Sequence, residues 1–553
     1  MRHLILLSGH TCSGKSELAQ QLRETFGFHV IRTQGLLSDE AVKRGVNADR
    51  LSLQSLGDIL DQETDSRWVK SAIVAAVEQL PPDADIVVDN IRNSSQLAHF
   101  REEPGWRPVH VHLWAPLKDR ERRFADKSRE NAKETAQSYQ YADLIKDEAD
   151  IEHFKKDADI RIHTAWLDPR DMLIRVAAPL GLYAPPDLRC VDVIVGGQYG
   201  SEGKGHVAAY LSREYDVLMR VGGPNAGHTV SSESGVYTYH HLPSGCRDTD
   251  AEVLLGPGMT IRVDEILKEI DDCKLEAGRL FIDSQAMIIE DTDIADETEL
   301  KAKIASTGRG GGAAAARRIL GRKPGAIRLA KDVPELLPYV GSTMDRLEKA
   351  YGSGRSVLLE GTQGSGLSLY HGPHPYVTSR DTNVAGCLAE AGISPRRVRR
   401  VLLVIRPTPI RVGNPDGGVE TSGPLKYETT FAEVAALAGL DPSEVTDAEK
   451  TSTTRRPRRV GWFEWELFRK SCALNAPTDI VLTFADYLKA TNREARRFEQ
   501  LDQDTIKFIE DLERVAHAPV SLINTRFPRK GESLDLRTVI DRRNWGSYRP
   551  PSG

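Results

Sequence analysis

The sequence predicts an α/β protein of two P-loop-type domains, each with a mostly parallel sheet flanked by helices. Three observations carry this. Two segments share one order, a β-branched and leucine-rich strand, a Gly/Ser/Lys loop and then a helical pattern: HLILLSGHTCSGKSELAQQL from His3 to Leu22, and VDVIVGGQYGSEGKGHVAAYL from Val191 to Leu211. Short apolar runs alternate with helical patterns in both halves, at Asp85–Asp89, Val109–Trp114, Val357–Glu360, Val401–Ile405 and Ile480–Thr483. Such runs read as buried strands of parallel sheets. Between the halves, Pro185 and Pro186 disfavour both a helix and a central strand. The expected division is a first domain over 1–178, a linker over 179–189 and a second domain over 190–553.

Bulk properties narrow the function classes. At roughly 100–200 residues per domain, 553 residues allow two to four domains. A net charge of -6 gives no argument for general nucleic-acid binding. The six scattered cysteines include no CxxC pair, which argues against a zinc ribbon or disulfide framework. No run approaches the ~18 apolar residues of a membrane span, and MRHLILLSGH is too short for a signal sequence. The expectation is a cytoplasmic protein with no membrane and no nucleic-acid partner.

In the first domain, Gly9-His10-Thr11-Cys12-Ser13-Gly14-Lys15-Ser16 fits GxxxxGK[ST]. Its amides can surround phosphate oxygens, Lys15 can reach the β and γ phosphates, and Ser16 can bind Mg²⁺. Downstream, DIVVDNIRN places Asp89 at a strand end, where an acid suits a base, an indirect hold on Mg²⁺, or a helix cap. Lys118 to Arg123 and Lys127 to Arg129 fall in one helical stretch, commonly a solvated face. Taken in order, the P-loop, the DxxR segment, this basic run and ADIRI (Ala158–Ile162) resemble the nucleoside monophosphate kinases, the basic run matching their arginine-bearing lid. The resemblance implies a kinase-like module with an undetermined acceptor.

The second domain carries more motifs. Gly200, Gly203 and Gly205 flank Lys204 in GSEGKG, which suits close approach to a phosphate at a helix start. GGPNAGHT holds Asn225, Gly227 and His228; STGRG holds Thr307; EGTQG holds Gln363; PYVTS holds Thr378. In TTRRPRR, four arginines stand within five residues, among them Arg456 and Arg458, after Thr453 and Thr454. Arginine forks match carboxylates, so this run is either an anion trap for a dicarboxylate or a solvated basic turn. A phosphate loop, a His-bearing loop and a carboxylate trap together suggest a ligase that phosphorylates an oxygen and then admits an amine.

This ordered set is similar to the adenylosuccinate synthetases over about residues 190 to 530. The resemblance implies that a nucleoside triphosphate phosphorylates O6 of a purine nucleoside monophosphate and that the amine of L-aspartate then displaces phosphate. It implies that Lys204 contacts the γ-phosphate, that the Gly227 carbonyl ligates Mg²⁺ and that His228 is an acid at the phosphates. Asn225, Thr307, Gln363 and Thr378 would hold the purine nucleotide, and Arg322 would reach the neighbouring subunit's nucleotide in a homodimer. Thr454, Arg456 and Arg458 would grip aspartate, and Asp486 would read the guanine of GTP.

One position departs. Where the family's loop has an aspartate that takes the purine N1 proton, this chain has Ser201, and a serine is no base near neutral pH without an activating partner. Serine leaves room for a 2-amino group, a pattern that resembles the phage diaminopurine-pathway branch, which acts on dGMP. Phe484 and the Asn524-Thr525-Arg526-Phe527 segment also depart from the guanine-reading pattern, so ATP or dATP stands beside GTP as the expected donor. The resulting expectation is a ligase acting on dGMP or GMP to give 2-aminoadenylosuccinate. The alternatives are an ordinary IMP-using synthetase and a non-catalytic nucleotide sensor or defence protein.

Overall fold

The computed structural model describes residues 3–47, 49–102, 106–130, 148–232, 235–415, 421–449, 457–526 and 538–545. Two compact units follow one another along the chain: the first runs to Tyr183 and the second starts at Ala184. Residues 179–189 divide between them. Leu180 and Leu182 pack on the first unit's core, and Ala184 and Leu188 on the second's.

The first unit is a five-stranded parallel sheet. Its strands are β1 (His3–Ser8), β2 (His29–Arg32), β3 (Ile86–Asp89), β4 (Arg107–Trp114) and β5 (Ile160–His163), in spatial order β2-β3-β1-β4-β5. The period-2 pleat of β1 sends Leu4 and Leu6 to a core with Val69 and Ile73, and Ile5 and Leu7 to a core with Leu18 and Leu22. Burying each such side chain fully contributes ~1.5–3 kcal/mol, so both faces need helices. Helix α1 (Lys15–Phe26) supplies Leu18, Ala19 and Leu22 and stops at Gly27, in the left-handed region. The predicted basic run lies on one helix, Leu117–Glu130.

The second unit is built on a ten-stranded sheet. Its spatial order is Val340–Gly341, Leu280–Asp283, Glu252–Leu255, β7 (Val217–Arg220), Val357–Glu360, β6 (Val191–Gly196), Val398–Ile405, Asp479–Leu482, Val520–Asn524 and Val539–Asp541. Only the last pair is antiparallel. Both faces are covered: Val191, Val193, Val195 and Leu403 join one core, and Ile194, Leu402 and Val404 the other. Burial on two sides explains why these strands read as unbroken apolar runs. A three-stranded antiparallel sheet of Ile410–Val412, Arg458–Gly461 and Glu428–Thr429 carries the end of the arginine run. No helix among the described residues is long and apolar enough to cross a membrane.

Candidate active site

In a parallel sheet, ligands bind in the crevice beyond the carboxyl ends of the strands. The second unit's motifs converge on that edge. The loop after β6 leads into the helix Lys204–Leu211, whose cap Gly203 sits at φ 85, the left-handed region that favours glycine. Glu202 organises this loop. Its buried carboxylate accepts from the amides of Gln198 (3.0 Å) and Gly200 (2.9 Å) and from Lys204 Nζ (2.7 Å). With both oxygens engaged, Glu202 is not the missing base. Ser201 is exposed at φ 56; its carbonyl accepts from Arg406 Nη1 (3.3 Å), and its hydroxyl has no partner among the described residues.

His228 opens a hairpin strand that lies over this helix. A Cβ on Gly205 would fall 2.7 Å from His228 Cβ, so only glycine allows the approach. His228 Nδ1 donates to Glu360 Oε1 (2.5 Å), and Glu360, at the end of its strand, also accepts from the amide and hydroxyl of Ser244, both at 2.7 Å. Burial, with Arg220 nearby, lowers the pKa of His228 to about 4 against the opposing pull of Glu360. Burial raises that of Glu360, but His228, Arg220 and the Ser244 amide outweigh it and leave it at about 2. The pair is therefore a neutral imidazole held by a carboxylate, with Nε2 as its remaining functional nitrogen.

Burial also lowers His206 to about 3 and, with Arg309, His240 to about 4. Unfolded histidine titrates near ~6.5. A lowered folded pKa contributes stability that is present above the unfolded value and lost as pH falls toward the folded one. Thermal stability of the second unit should therefore drop between pH 6.5 and 4. Unfolding scans across that window check this; a flat melting temperature contradicts it.

Gln363 Nε2 donates to Thr378 Oγ1 (2.8 Å), which brings together two predicted nucleotide-holding residues. Asn225 lies against Gly311, and its buried Oδ1 has no partner among the described residues. Thr307 and Arg322 are exposed. Arg458 Nη1 is held by Glu449 (3.1 Å), which also pairs with the buried Arg406. Arg459 is taken up by Glu428 and the carbonyl of Gly423 (2.7 Å). Thr453, Thr454, Arg455, Arg456 and Phe527 lie outside the described residues. Asp486 is buried just past the strand Asp479–Leu482. Its Oδ2 accepts from Arg493 Nε (3.0 Å) and its Oδ1 has no partner among the described residues. Burial pushes its pKa up to about 6. An unsatisfied buried acceptor is costly, and a base presenting N–H groups would satisfy it.

The GxxxxGK[ST] loop of the first unit follows β1. Gly9 and Gly14 take positive φ, and Lys15 Nζ folds back to donate to the carbonyls of Gly9 (2.9 Å) and His10 (2.7 Å). Ser16 Oγ donates to Asp89 Oδ2 (2.7 Å) at the end of β3, so Asp89 pairs with the loop serine and caps no helix.

The family model of the adenylosuccinate synthetases matches residues 193–331 and 326–493. The chain belongs to the adenylosuccinate synthetase family. It is an adenylosuccinate synthetase-type ligase of purine nucleotide metabolism, and Mg²⁺ and a nucleoside triphosphate are the co-reactants of that chemistry. The adenylosuccinate synthetase of Methanocaldococcus jannaschii is 35% identical over 357 residues, covering 63% of this chain and 97% of that protein. That of Pyrococcus horikoshii is 36% identical, covering 64% and 98%. The structure of the cyanophage S-2L succinoaminodeoxyadenylate synthetase, bound to dGMP and to dATP as an energy donor, is similar at 29% identity and a TM-score of 0.53, covering 64% of this chain and 96% of that one. The fully ligated adenylosuccinate synthetase of Plasmodium falciparum shares the fold, with 22% identity, a TM-score of 0.54, and 64% and 100% coverage.

Within this synthetase, the motif glycines, Lys204 and His228 were legible in the sequence, whereas the residues that hold them were not. Glu202 stands inside the GSEGKG loop and is held by that loop's own donors, whereas Glu449 carries no local signal, because one of its donors, Arg406, comes from a distant segment. Glu360 is signalled only weakly, as the acid ending an apolar strand.

Proposed function

We propose that this synthetase joins L-aspartate to C6 of a guanine nucleotide, dGMP or GMP, forming 2-aminoadenylosuccinate. The observation that carries the reading is Ser201, an exposed hydroxyl without a partner among the described residues, where the family's loop has a carboxylate. The similarity to the phage enzyme bound to dGMP supports it. A carboxylate beside N1 would crowd a 2-amino group; the smaller hydroxyl can accept from it.

In this reading the γ-phosphoryl group passes to O6, and the aspartate amine then attacks C6 and expels phosphate. Lys204 contacts the γ-phosphate, and His228 is the acid at the phosphates once the anionic substrates have protonated Nε2, an imidazolium that the Glu360 carboxylate then stabilises. Asn225, Gln363, Thr378 and Thr307 hold the purine nucleotide. Arg322, exposed and without a partner among the described residues, reaches into a second copy's site in a homodimer. Thr454, Arg456 and Arg458 grip the aspartate carboxylates, Arg458 being positioned by Glu449. Asp486 meets the base of the triphosphate, GTP or ATP/dATP, through its open oxygen. Among the described residues, no group of three His, Cys, Asp or Glu side chains could hold a metal ion. Mg²⁺ keeps one or two protein ligands and fills its octahedron with phosphate oxygens and water. The Gly227 carbonyl would hold the ion, which would supply charge neutralisation during transfer.

Two experiments test the assignment. IMP, dIMP, GMP and dGMP are each offered with aspartate and GTP or ATP, and products are read by mass spectrometry; preference for IMP overturns it. Arg456→Ala is expected to raise the KM for aspartate sharply while leaving nucleotide binding nearly intact, since a charge-assisted pair is lost. An unchanged aspartate KM removes Arg456 from the trap. We further read the first unit as a separate kinase-like module that binds a nucleoside triphosphate at Gly9, Gly14, Lys15 and Ser16, with Ser16 and Asp89 placed to hold Mg²⁺. Its Lys15→Ala variant should lose nucleotide hydrolysis or transfer there and keep aspartate ligation.

A further inference from the structure

The first unit carries an aromatic feature that phosphate binding alone does not use. Trp166 is 83% exposed, the most exposed large apolar side chain in the described protein. It is not adrift: its indole stacks on His163, with centroids 4.2 Å apart and planes at 21°, and His163 in turn meets Trp114 edge-on at 3.9 Å. Trp114 and His163 are the last residues of β4 and β5, so the stack stands at the carboxyl edge of the sheet, the edge that bears the phosphate loop.

The stack is also fastened to that loop. Thr164, two residues before Trp166, donates from Oγ1 to the Ser13 carbonyl (2.9 Å). Arg123 bridges the two segments, donating to Thr164 Oγ1 (2.9 Å) and to the Cys12 carbonyl (3.3 Å). The phosphate loop and the indole therefore share one hydrogen-bonded frame.

Topology assigns the two sides of the loop. The Ser16–Asp89 pair, where a metal and the terminal phosphates would sit, lies toward β3; the aromatic stack lies on the other side, over β4 and β5. A triphosphate with its γ-end at Ser16 has its nucleoside end free to trail toward β4 and β5. We infer that the open face of Trp166 is the platform on which the base of the loop-bound nucleoside triphosphate stacks. This rests on the phosphate-loop reading of the first unit. A flat indole accepts any base through its π-face, so the platform sets affinity rather than base identity.

The test uses the full chain in a Lys204→Ala background, which weakens the second phosphate loop, with calorimetry of Mg·ATP, Mg·GTP and Mg·tripolyphosphate. Trp166→Ala is expected to weaken ATP and GTP by about 5- to 100-fold, the range of a lost base–aromatic stack, and to leave tripolyphosphate unchanged. Trp166→Phe should restore most of the affinity. If Lys15→Ala abolishes binding of all three probes while Trp166→Ala binds ATP as tightly as the parent, the platform is overturned and the phosphate loop stands. Equal weakening of tripolyphosphate by Trp166→Ala also overturns it, since the loop itself has then been disturbed. If Lys15→Ala leaves all three probes bound, the phosphate-loop reading fails first.

Discussion

His228→Ala is expected to slow aspartate-dependent phosphate release by about 10²- to 10⁴-fold in kcat, the range for removing a positioned proton-transfer group. The purine monophosphate should still bind, because Gln363 and Thr378 are independent of the imidazole. The expectation follows from how His228 is held: Glu360 takes Nδ1–H at 2.5 Å, Ser244 fixes Glu360 through two further bonds, and burial keeps the ring neutral. That is an orienting arrangement, in which the carboxylate sets the tautomer and leaves Nε2 for chemistry. Glu360→Gln keeps an acceptor but withdraws the charge that favours the imidazolium, so its loss should be smaller and confined to kcat. Binding of the monophosphate and the melting temperature separate a chemical defect from misfolding. Full turnover in a folded His228→Ala protein removes the residue from the mechanism.

The second large effect concerns Ser201. The wild type should ligate aspartate to dGMP or GMP and work poorly on IMP, and Ser201→Asp should reverse the order by restoring a base at N1 and crowding C2. One crowded or unpaired polar contact is worth about 1–3 kcal/mol, or roughly 10- to 200-fold in kcat/KM. Glu202 cannot compensate as a base, since its oxygens are bound by Gln198, Gly200 and Lys204. Proton removal from N1 then falls to water, a substrate phosphate or a neighbouring group, and the wild-type rate should be slow and rise toward alkaline pH. Measuring kcat/KM for dGMP and IMP in both proteins decides the matter: a wild type that prefers IMP removes the guanine assignment, whatever the mutant does.

How much of this was legible beforehand varies with the range of the interactions. Local order was readable. The strands Val191–Gly196 and Val357–Glu360 and the helix starts at Lys15 and Lys204 follow from apolar runs that end in glycine loops. That patterning reports short-range sterics and burial on two faces. The ordered motifs were enough to indicate the family, because loops that hold phosphate need glycines and a lysine at set spacing. What no spacing could show is which groups neutralise one another across the fold. Glu360 orients His228 from 132 residues away, and Glu449 fixes one nitrogen of Arg458 while pairing with Arg406, 43 residues from it. The Trp166 platform and the open oxygen of Asp486 belong to the same class. Exposure of an indole and an unsatisfied buried acceptor are properties of packing, and the chain acquires them only when strands distant in sequence end side by side.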